Sequence, residues 1–435
     1  MPGVRRSPFF AFAKGDFFMK RNRWGIALAA VGIHISIGSV YAWSVLTRPV
    51  MDAVGATLAE ATWAFSIAIF FLGLSAAFLG HAAERMGPRR SGLLSALCFC
   101  AGLAGTAWAV EARSLALLYF FYGFVGGVGL GVGYITPVAT LVKWFPRHRG
   151  FATGLAIMGF GFAAFVAGPV MQRLTAAYGL AENFLLMACA YALVMGVSAL
   201  YLAPPRPGEV ESDLAAVVKE EIAAAPAPVP QKQYSRREAV KTPEFAALWW
   251  IFFTNITCGI GLLAVASPMA QEIIRMTPEG AASLVGLIGI VNGAGRLLWS
   301  AASDWIGRGA VYLLFFTVEA FAFWQLAGTS DAAAFAAWTL LIISCYGGGF
   351  SCMPAYLADL FGVRHLSSIH GVILTAWGMA GLAGPLLLSV MKSETGSYAW
   401  TLRFFAAALV LAWLLAAWLY TRRKKCAALP AGEEA

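Results

Sequence analysis

Long apolar stretches alternate with short polar connectors along most of the chain. We place twelve apolar stretches at about 25 to 46, 61 to 82, 91 to 110, 115 to 142, 150 to 173, 182 to 203, 246 to 270, 281 to 302, 310 to 328, 332 to 358, 367 to 391 and 400 to 421. Each is close to the ~20 residues that a helix needs to cross the ~30 Å hydrocarbon core of a bilayer. The pattern predicts an all-α membrane protein with twelve transmembrane helices.

The composition also indicates that the lipid bilayer is the solvent of this chain. Hydrophobic residues make up 60% of the sequence and charged residues 12%, whereas soluble domains carry about 25% charged residues. A net charge of +9 would suit nucleic acid, but the basic residues lie in the connectors, so we predict no nucleic-acid partner. The seven cysteines form no CxxC pair and no Cys/His cluster, which predicts free thiols, no metal and no cofactor.

The distribution of basic residues predicts the topology. If the chain crosses an even number of times, one side collects most of the arginines and lysines of the connectors, including Arg89, Arg90, Lys143, Arg147 and Arg364. The positive-inside rule then places both termini in the cytoplasm. The first apolar stretch is longer than the core of a signal peptide, so we expect it to be retained. We therefore expect a multi-pass monomer in the cell inner (plasma) membrane.

One polar segment divides the chain. Residues 204–245 combine several prolines with Glu and Ala, a composition that cannot pack a core and predicts a mobile cytoplasmic linker. We expect a cytoplasmic N-terminal segment at 1–23, a six-helix bundle at 24–203, the linker at 204–245, a second six-helix bundle at 246–421 and a cytoplasmic tail at 422–435.

The two halves carry matching segments. GHAAERMGPRR from Gly80 follows the second predicted helix, and SAASDWIGRG from Ser300 follows the eighth. KWFPRHRGFATG from Lys143 has its counterpart in DLFGVRHLSSIHG from Asp359. Both pairs are separated by about 216 to 220 residues, which indicates internal duplication. The fold prediction is therefore two pseudo-symmetric six-helix bundles.

These segments resemble a known family. The connector at 80–90 is similar to the loop signature of the major facilitator superfamily, with Glu84 at the place of the usual aspartate and Pro88 within the basic run. NRW at 22–24, YAWSVLTRP at 41–49, KWFPRHRG at 143–150 and NGAGRLLWSAASDWIGR at 292–308 resemble the oxalate/formate antiporter family, whose relatives include monocarboxylate transporters. The resemblance implies a small organic anion as substrate, bound near the midplane between the bundles. Two connector pairs would then latch the cytoplasmic side without touching substrate: Glu84 with Arg85, and Asp304 with Arg308.

Arg296 is the candidate substrate ligand because it is an ionisable residue inside the eighth apolar stretch. Such a residue costs roughly 3 kcal/mol on insertion scales and marks a functional site by default. A guanidinium is permanently charged and can bind a carboxylate with two parallel hydrogen bonds, whereas the alternative is an arginine that snorkels towards Asp304. Asn292 lies one turn earlier on the same face and is a candidate donor to the same carboxylate, with packing between helices as the alternative. In related animal monocarboxylate transporters this position resembles an aspartate. A neutral residue there leaves Arg296 without a counter-ion and favours capture of an anion.

The resemblance adds four aromatic residues to this candidate site. Tyr41, Tyr134 and Tyr346 match positions at which the antiporter family lines its cavity, although simple packing is the alternative for each. Trp377 stands where the oxalate-exchanging type has a lysine. One cation suits one negative charge, so we expect a monocarboxylate such as lactate or pyruvate.

Three groups are candidates for proton coupling: His34 in the first helix, Glu272 near the outer end of the seventh and Glu319 in the ninth. Each also has a structural interpretation, as a packing histidine, a solvated loop acid or a buried structural acid. The sequence thus predicts a proton-coupled secondary transporter of small monocarboxylates. An oxalate/formate-type antiporter and a membrane sensor that moves no solute remain open. We expect no enzyme activity, because no nucleophile/base set is visible.

Overall fold

The computed structural model describes residues 21–206, 209–210 and 233–428, which are almost entirely helical. The predicted N-terminal segment up to residue 20, most of the predicted linker (207–208 and 211–232) and the end of the predicted tail (429–435) lie outside the described residues.

The first half contains seven α-helices that cross the molecule six times. They are α1 (Arg23–Ile37), α2 (Trp43–Val54), α3 (Leu58–Glu111), α4 (Leu115–Leu118), α5 (Gly127–Trp144), α6 (Arg149–Tyr178) and α7 (Leu180–Tyr201). A 3₁₀ turn, Gly38–Ala42, joins α1 to α2 in the first crossing, and a π-helical segment, Tyr119–Gly126, joins α4 to α5 in the fourth.

The second half begins with a short helix and adds six long ones. They are α8 (Arg236–Ala239), α9 (Pro243–Ile273), α10 (Pro278–Ile306), α11 (Arg308–Leu326), α12 (Ala332–Phe361), α13 (Leu366–Thr395) and α14 (Tyr398–Ala428). The helices α9 to α14 form crossings seven to twelve.

The long helix α3 is two crossings joined by a sharp bend at Gly87. This residue has φ 78° and ψ 165°, a conformation that glycine adopts readily and other residues rarely do. Pro88 follows, at a position where proline favours the start of a helix. Eleven helical stretches in the described chain are long and apolar enough to span a membrane, and the 49-residue stretch Trp63–Glu111 holds two crossings. The prediction of an all-α fold with twelve transmembrane helices is confirmed.

The second half repeats this bend. Gly307, with φ 86° and ψ 145°, ends α10 and begins α11 at the position that corresponds to Gly87. The duplication read from the sequence therefore appears as the same backbone conformation at the same place in each half.

The two bundles meet along two helix pairs, α6 with α10 and α3 with α13. Small residues let the backbones approach closely at both. A Cβ built on Gly161 would lie 2.6 Å from Cα of Gly293, and one on Gly73 would lie 3.1 Å from Cα of Gly378. These close approaches enclose the region between the bundles, where the candidate residues lie.

The outer surface of the bundles is strongly apolar. Large side chains such as Leu28, Phe78, Leu193, Leu298 and Trp305 are exposed, with Trp305 81% accessible. A soluble protein would bury such residues, whereas hydrocarbon solvates them well. This surface agrees with a multi-pass membrane protein.

An even number of crossings brings both ends of the described chain to one face, which we name the terminal face. There Arg422 of α14 pairs with Glu244 at the start of α9 at 2.9 Å. We name the opposite end the distal face. The prediction that both termini are cytoplasmic stays a prediction.

Candidate functional site

Arg296 is fully buried where α6 of the first bundle packs on α10 of the second. Its side chain points back towards the preceding helical turn, as helical side chains do. Nε of Arg296 donates a hydrogen bond of 3.1 Å to Oδ1 of Asn292, whereas Asp304 pairs with Arg308. The side chain thus lies between the bundles and does not extend to Asp304.

The far end of the Arg296 guanidinium has unused hydrogen-bonding capacity. Nη1 and Nη2 are buried, and neither has a hydrogen-bond partner among the described residues. Buried donors, above all charged ones, normally have acceptors. These two nitrogens belong to the planar fork that binds a carboxylate bidentately.

Two phenylalanines compensate part of the cost of this buried charge. Cζ of Arg296 lies 4.8 Å from the ring centroid of Phe350 and 5.6 Å from that of Phe160. A desolvated cation–π contact contributes about 2 kcal/mol, so two of them are comparable with the roughly 3 kcal/mol cost of placing an arginine in a membrane. The rings stabilise the charge and leave the N–H donors free for a ligand.

The predicted tyrosines surround the same point. The hydroxyls of Tyr41 and Tyr346 lie 3.3 Å apart and join the first crossing to the tenth. The hydroxyl of Tyr134 is buried without a hydrogen-bond partner in the described chain. Tyr41 and Tyr134 both lie within electrostatic reach of Arg296.

Trp377 closes this aromatic enclosure from α13. Its ring is fully buried and packs edge-on against Phe350 at 4.7 Å, Tyr134 at 5.1 Å and Phe160 at 5.5 Å. Its Nε1 has no hydrogen-bond partner within the described ranges. The structure therefore brings together all the residues that the sequence analysis proposed as substrate ligands.

Two members of this enclosure, Phe160 and Phe350, were missed by the sequence analysis. Phe350 lies one helical turn after Tyr346 and shares its face, so helical periodicity could have found it. Phe160 had no such signal, because phenylalanine is common in the apolar stretches of this chain.

His34 lies beside the enclosure. It is buried in α1, its Nδ1 lies 3.1 Å from the carbonyl oxygen of Ala30, and its ring contacts Tyr134 edge-on at 5.2 Å. His370 of α13, which the sequence analysis also missed, lies 5.9 Å from Tyr134. An imidazole inside an apolar stretch is the signal that identified His34, and His370 carries it too.

The two candidate acids do not join this cluster. Glu319 is buried in α11 and accepts hydrogen bonds of 3.2 and 3.0 Å from Nδ2 of Asn255, within the second bundle. Glu272 is half-exposed at the distal face, 2.6 Å from Nζ of Lys392 and 3.2 Å from the hydroxyl of Tyr398. The hydrogen bond from Lys392 holds the pKa of Glu272 below its usual range.

The connector after the eighth crossing joins the two bundles at the terminal face. The carboxylate of Asp304 accepts hydrogen bonds of 2.9 Å from the backbone N–H groups of Gly150 and Phe151, in the first turn of α6. Arg308 pairs with Asp304 at 2.5 Å and with Asp359 at 3.2 Å. A carboxylate is stabilised at a helix N-terminus, so this contact joins the second bundle to the first.

The connector after the second crossing makes the symmetric contact. Oε1 of Glu84 accepts a hydrogen bond of 3.0 Å from the backbone N–H of Ser368, in the first turn of α13. The Glu84 carboxylate also lies 3.8 Å from His81 and 3.7 Å from His365. Arg85 is exposed, and no ion pair is seen for it in the described chain.

Comparison with known proteins identifies the family. The profile of the Major Facilitator Superfamily matches residues 26–343 and 256–435. The oxalate:formate antiporter of Oxalobacter formigenes is 26% identical over 414 residues, covering 92% of this chain and 92% of the relative. Apicoplast pyruvate carrier 1 of Toxoplasma gondii is 25% identical over 458 residues, covering 81% of each chain.

A solved structure shows the same fold. The proton:xylose symporter XylE superposes with a TM-score of 0.69 at 13% identity, covering 90% of this chain and 94% of XylE. The family profile matches far more than half of the sequence, and the twelve apolar crossings agree with it. This chain therefore belongs to the Major Facilitator Superfamily and is a multi-pass membrane transporter, not an enzyme.

Proposed function

We propose that this transporter moves small monocarboxylates of the lactate or pyruvate type, coupled to protons, by alternating access around Arg296. One observation carries the proposal: a fully buried guanidinium between the bundles, with Nη1 and Nη2 unpartnered in the described chain. A carboxylate supplies the negative charge and the two acceptor oxygens that this fork requires.

Charge balance supports a substrate with a single negative charge. Asn292, whose side chain accepts the hydrogen bond from Nε of Arg296, is neutral. The surrounding rings are those of Tyr41, Tyr134, Phe160, Tyr346, Phe350 and Trp377, which carry no positive charge. Arg296 offers a dicarboxylate one permanent positive charge, so the second carboxylate would lie among aromatic rings without a permanent counter-charge, which is strongly unfavourable.

The size of the substrate is limited by the same rings. Ring centroids around Arg296 lie 4.7 to 5.5 Å apart where Trp377 meets Phe350, Tyr134 and Phe160, so little space separates them. The names of the relatives agree with small acids, since one is a pyruvate carrier and another exchanges oxalate and formate. A 2-hydroxy or 2-keto acid would place its carboxylate on Arg296 and its second oxygen near Asn292, Tyr134 or Tyr346.

The contacts of the terminal face support alternating access. Asp304 and Glu84 each bind the first turn of a helix from the opposite bundle, and Arg149 pairs with Asp359 at 3.1 Å. Opening this face requires all these contacts to break, while the helix pairs α6–α10 and α3–α13 pivot near Arg296. These connectors are proposed as conformational latches.

Uptake of radiolabelled L-lactate into proteoliposomes under an inward proton gradient tests the proposal. We expect accumulation by the wild type and its loss in Arg296→Ala. Arg173→Ala is the matched control, because Arg173 is exposed and outside the site. No uptake of any monocarboxylate by the wild type, or unimpaired uptake by Arg296→Ala, would refute it.

The second candidate function is oxalate/formate-type exchange without net proton movement. Similarity to the oxalate:formate antiporter over 92% of both chains favours it. Trp377 argues against it, because an indole stands where the resemblance expects a second cation. Counterflow with internal oxalate at equal pH on both sides separates the two: fast oxalate counterflow would support exchange.

A further inference from the structure

Two buried histidines from different bundles flank one tyrosine beside the Arg296 site. His34 of α1 and Tyr134 of α5 belong to the first bundle, and His370 of α13 belongs to the second. All three are buried, and the Tyr134 ring contacts both imidazoles, at 5.2 and 5.9 Å. The cluster therefore spans the gap across which the bundles must move.

Several polar atoms of this cluster lack partners. Nε2 of His34, the hydroxyl of Tyr134 and both ring nitrogens of His370 are buried without hydrogen bonds to described residues. Native structures contain few such atoms, and each needs an explanation. Their concentration beside a buried cation points to a polar or ionic ligand and not to simple packing.

The surroundings of His34 keep its ring neutral while Arg296 has no bound anion, because burial and the nearby guanidinium both oppose a second positive charge. Nδ1 approaches the carbonyl oxygen of Ala30, which can only accept, so Nδ1 carries the hydrogen. Nε2 is then the basic nitrogen of the neutral ring, and it is buried without a hydrogen-bond partner in the described chain. Nε2 is therefore the nitrogen that would take an added proton.

We propose that His34 and His370 form a one-proton site that fills together with the anion on Arg296; this rests on the proposed function and names its proton carrier. The charged group that faces His34 is Arg296, and the other titratable neighbours are Tyr134 and the partner imidazole. Like-charge repulsion permits one proton on the pair, not two.

The coupling follows from charge. With the anion absent, the positive charge of Arg296 opposes a second positive charge beside it. A bound carboxylate neutralises Arg296 and removes this opposition. By linkage, protonation of the pair raises the affinity for the anion by the same factor. Nε2 of His34 takes its proton from water on one side and returns it to water on the other, and no covalent bond of the substrate changes.

Two transport modes in proteoliposomes test the proposal, with a pH-sensitive dye inside the vesicles. Exchange of external for internal L-lactate at equal pH needs no net proton movement, whereas accumulation driven by an inward proton gradient does. We expect His34→Gln to keep exchange near the wild-type rate and to lose gradient-driven accumulation and internal acidification by about tenfold or more. His370→Gln should also weaken gradient-driven accumulation and change its dependence on pH.

His148→Gln is the control, because His148 is exposed at the N-terminus of α6 and its side chain makes no capping hydrogen bond. Retention of gradient-driven accumulation by both His34→Gln and His370→Gln would overturn the proposal. Loss of exchange together with accumulation in both variants would also overturn it, since it would assign the rings to packing or to substrate binding. If the wild type exchanges L-lactate but a proton gradient drives no accumulation, the proton site alone is refuted. If the wild type shows neither exchange nor accumulation, the proposed function is refuted as well.

Discussion

Asn292 and Arg296 are joined by a hydrogen bond of 3.1 Å from Nε to Oδ1, one helical turn apart on α10. The amide orients the guanidinium through its inner nitrogen and leaves Nη1 and Nη2 directed at the space between the bundles. Because the amide is neutral, it fixes the geometry of the cation without cancelling its charge. An aspartate carboxylate at the position of Asn292 would both fix the geometry of the guanidinium and cancel its charge.

Asn292→Asp should therefore weaken anion binding. An aspartate 3.1 Å from Nε would form an internal ion pair with Arg296 and compete with the substrate carboxylate. We expect the apparent affinity for L-lactate to fall by about tenfold or more, consistent with the 1.5–3 kcal/mol of a hydrogen bond to a charged group. The loss should lessen as the pH falls, because protonation of the new carboxyl ends the competition.

Asn292→Ala separates charge from orientation. It removes the hydrogen bond to Nε and adds no charge, so it should reduce affinity at all pH values alike. A pH profile for Asn292→Asp that matches that of Asn292→Ala would contradict the charge argument. Concentration dependence of uptake at several pH values measures both.

Gly161→Ala should hold the bundles apart near the site. The added Cβ would lie 2.6 Å from Cα of Gly293 and 3.1 Å from Cδ of Arg296, and the first of these is backbone that cannot rotate away. Overpacking of this kind costs about 1–3 kcal/mol, so closure at α6–α10 should become less favourable. We expect uptake to fall severalfold while the protein still folds, since the two bundles can separate.

Gly196→Ala is the matched control for this prediction. Gly196 lies in α7, and a Cβ there would meet nothing within 4 Å. Uptake and thermal stability of Gly196→Ala should equal those of the wild type. Equal uptake by Gly161→Ala would show that close approach of α6 and α10 is not required for transport.

The lengths of the apolar stretches predicted the crossings, because the thickness of the bilayer sets the length of a spanning helix. Arg296 was identified because a charged residue is rare inside such a stretch. The apolar pattern separates the second and third crossings at the connector that holds Gly87, and the chain bends sharply at that residue in the structure. Contacts between the bundles could not be predicted from the sequence pattern. That Glu84 binds the backbone of Ser368, or that Phe160 lies over Arg296, depends on how distant helices pack, and no local pattern encodes it.

Glu272→Gln should reduce stability slightly at neutral pH and not at low pH. The hydrogen bond from Lys392 lowers the pKa of Glu272, so the folded state is favoured above the usual carboxyl pKa of about 4.3. This contribution is lost as the pH falls through the lower folded value. Because the pair is half-exposed, we expect at most about 1 kcal/mol.

Thermal unfolding of the purified protein at neutral pH and at pH about 3 checks this expectation. Glu394→Gln is the control, since Glu394 is exposed near the same end of α13. A difference between wild type and Glu272→Gln that persists at the lower pH would contradict the assignment.

Asp304→Asn should loosen the terminal face. The substitution removes the negative charge that pairs with Arg308 and that stabilises the first turn of α6, although Asp359 still pairs with Arg308. We expect the closed state to lose about 1–3 kcal/mol, which raises the open population about 5- to 150-fold. Cys352 reports on this opening because it is buried in α12 close to Arg308.

In a variant that keeps Cys352 and replaces the other cysteines, maleimide should label Cys352 faster after Asp304→Asn. Asp331→Asn is the matched control, because Asp331 caps α12 at the opposite end, where Oδ2 accepts a 2.8 Å hydrogen bond from the N–H of Ala334. The substitution removes a negative charge at a helix end without touching the contact between bundles, so labelling of Cys352 should not change. Equal labelling rates in Asp304→Asn and wild type would mean that the Asp304 contact does not hold the terminal face closed, and that other contacts, such as that of Glu84 with α13, suffice.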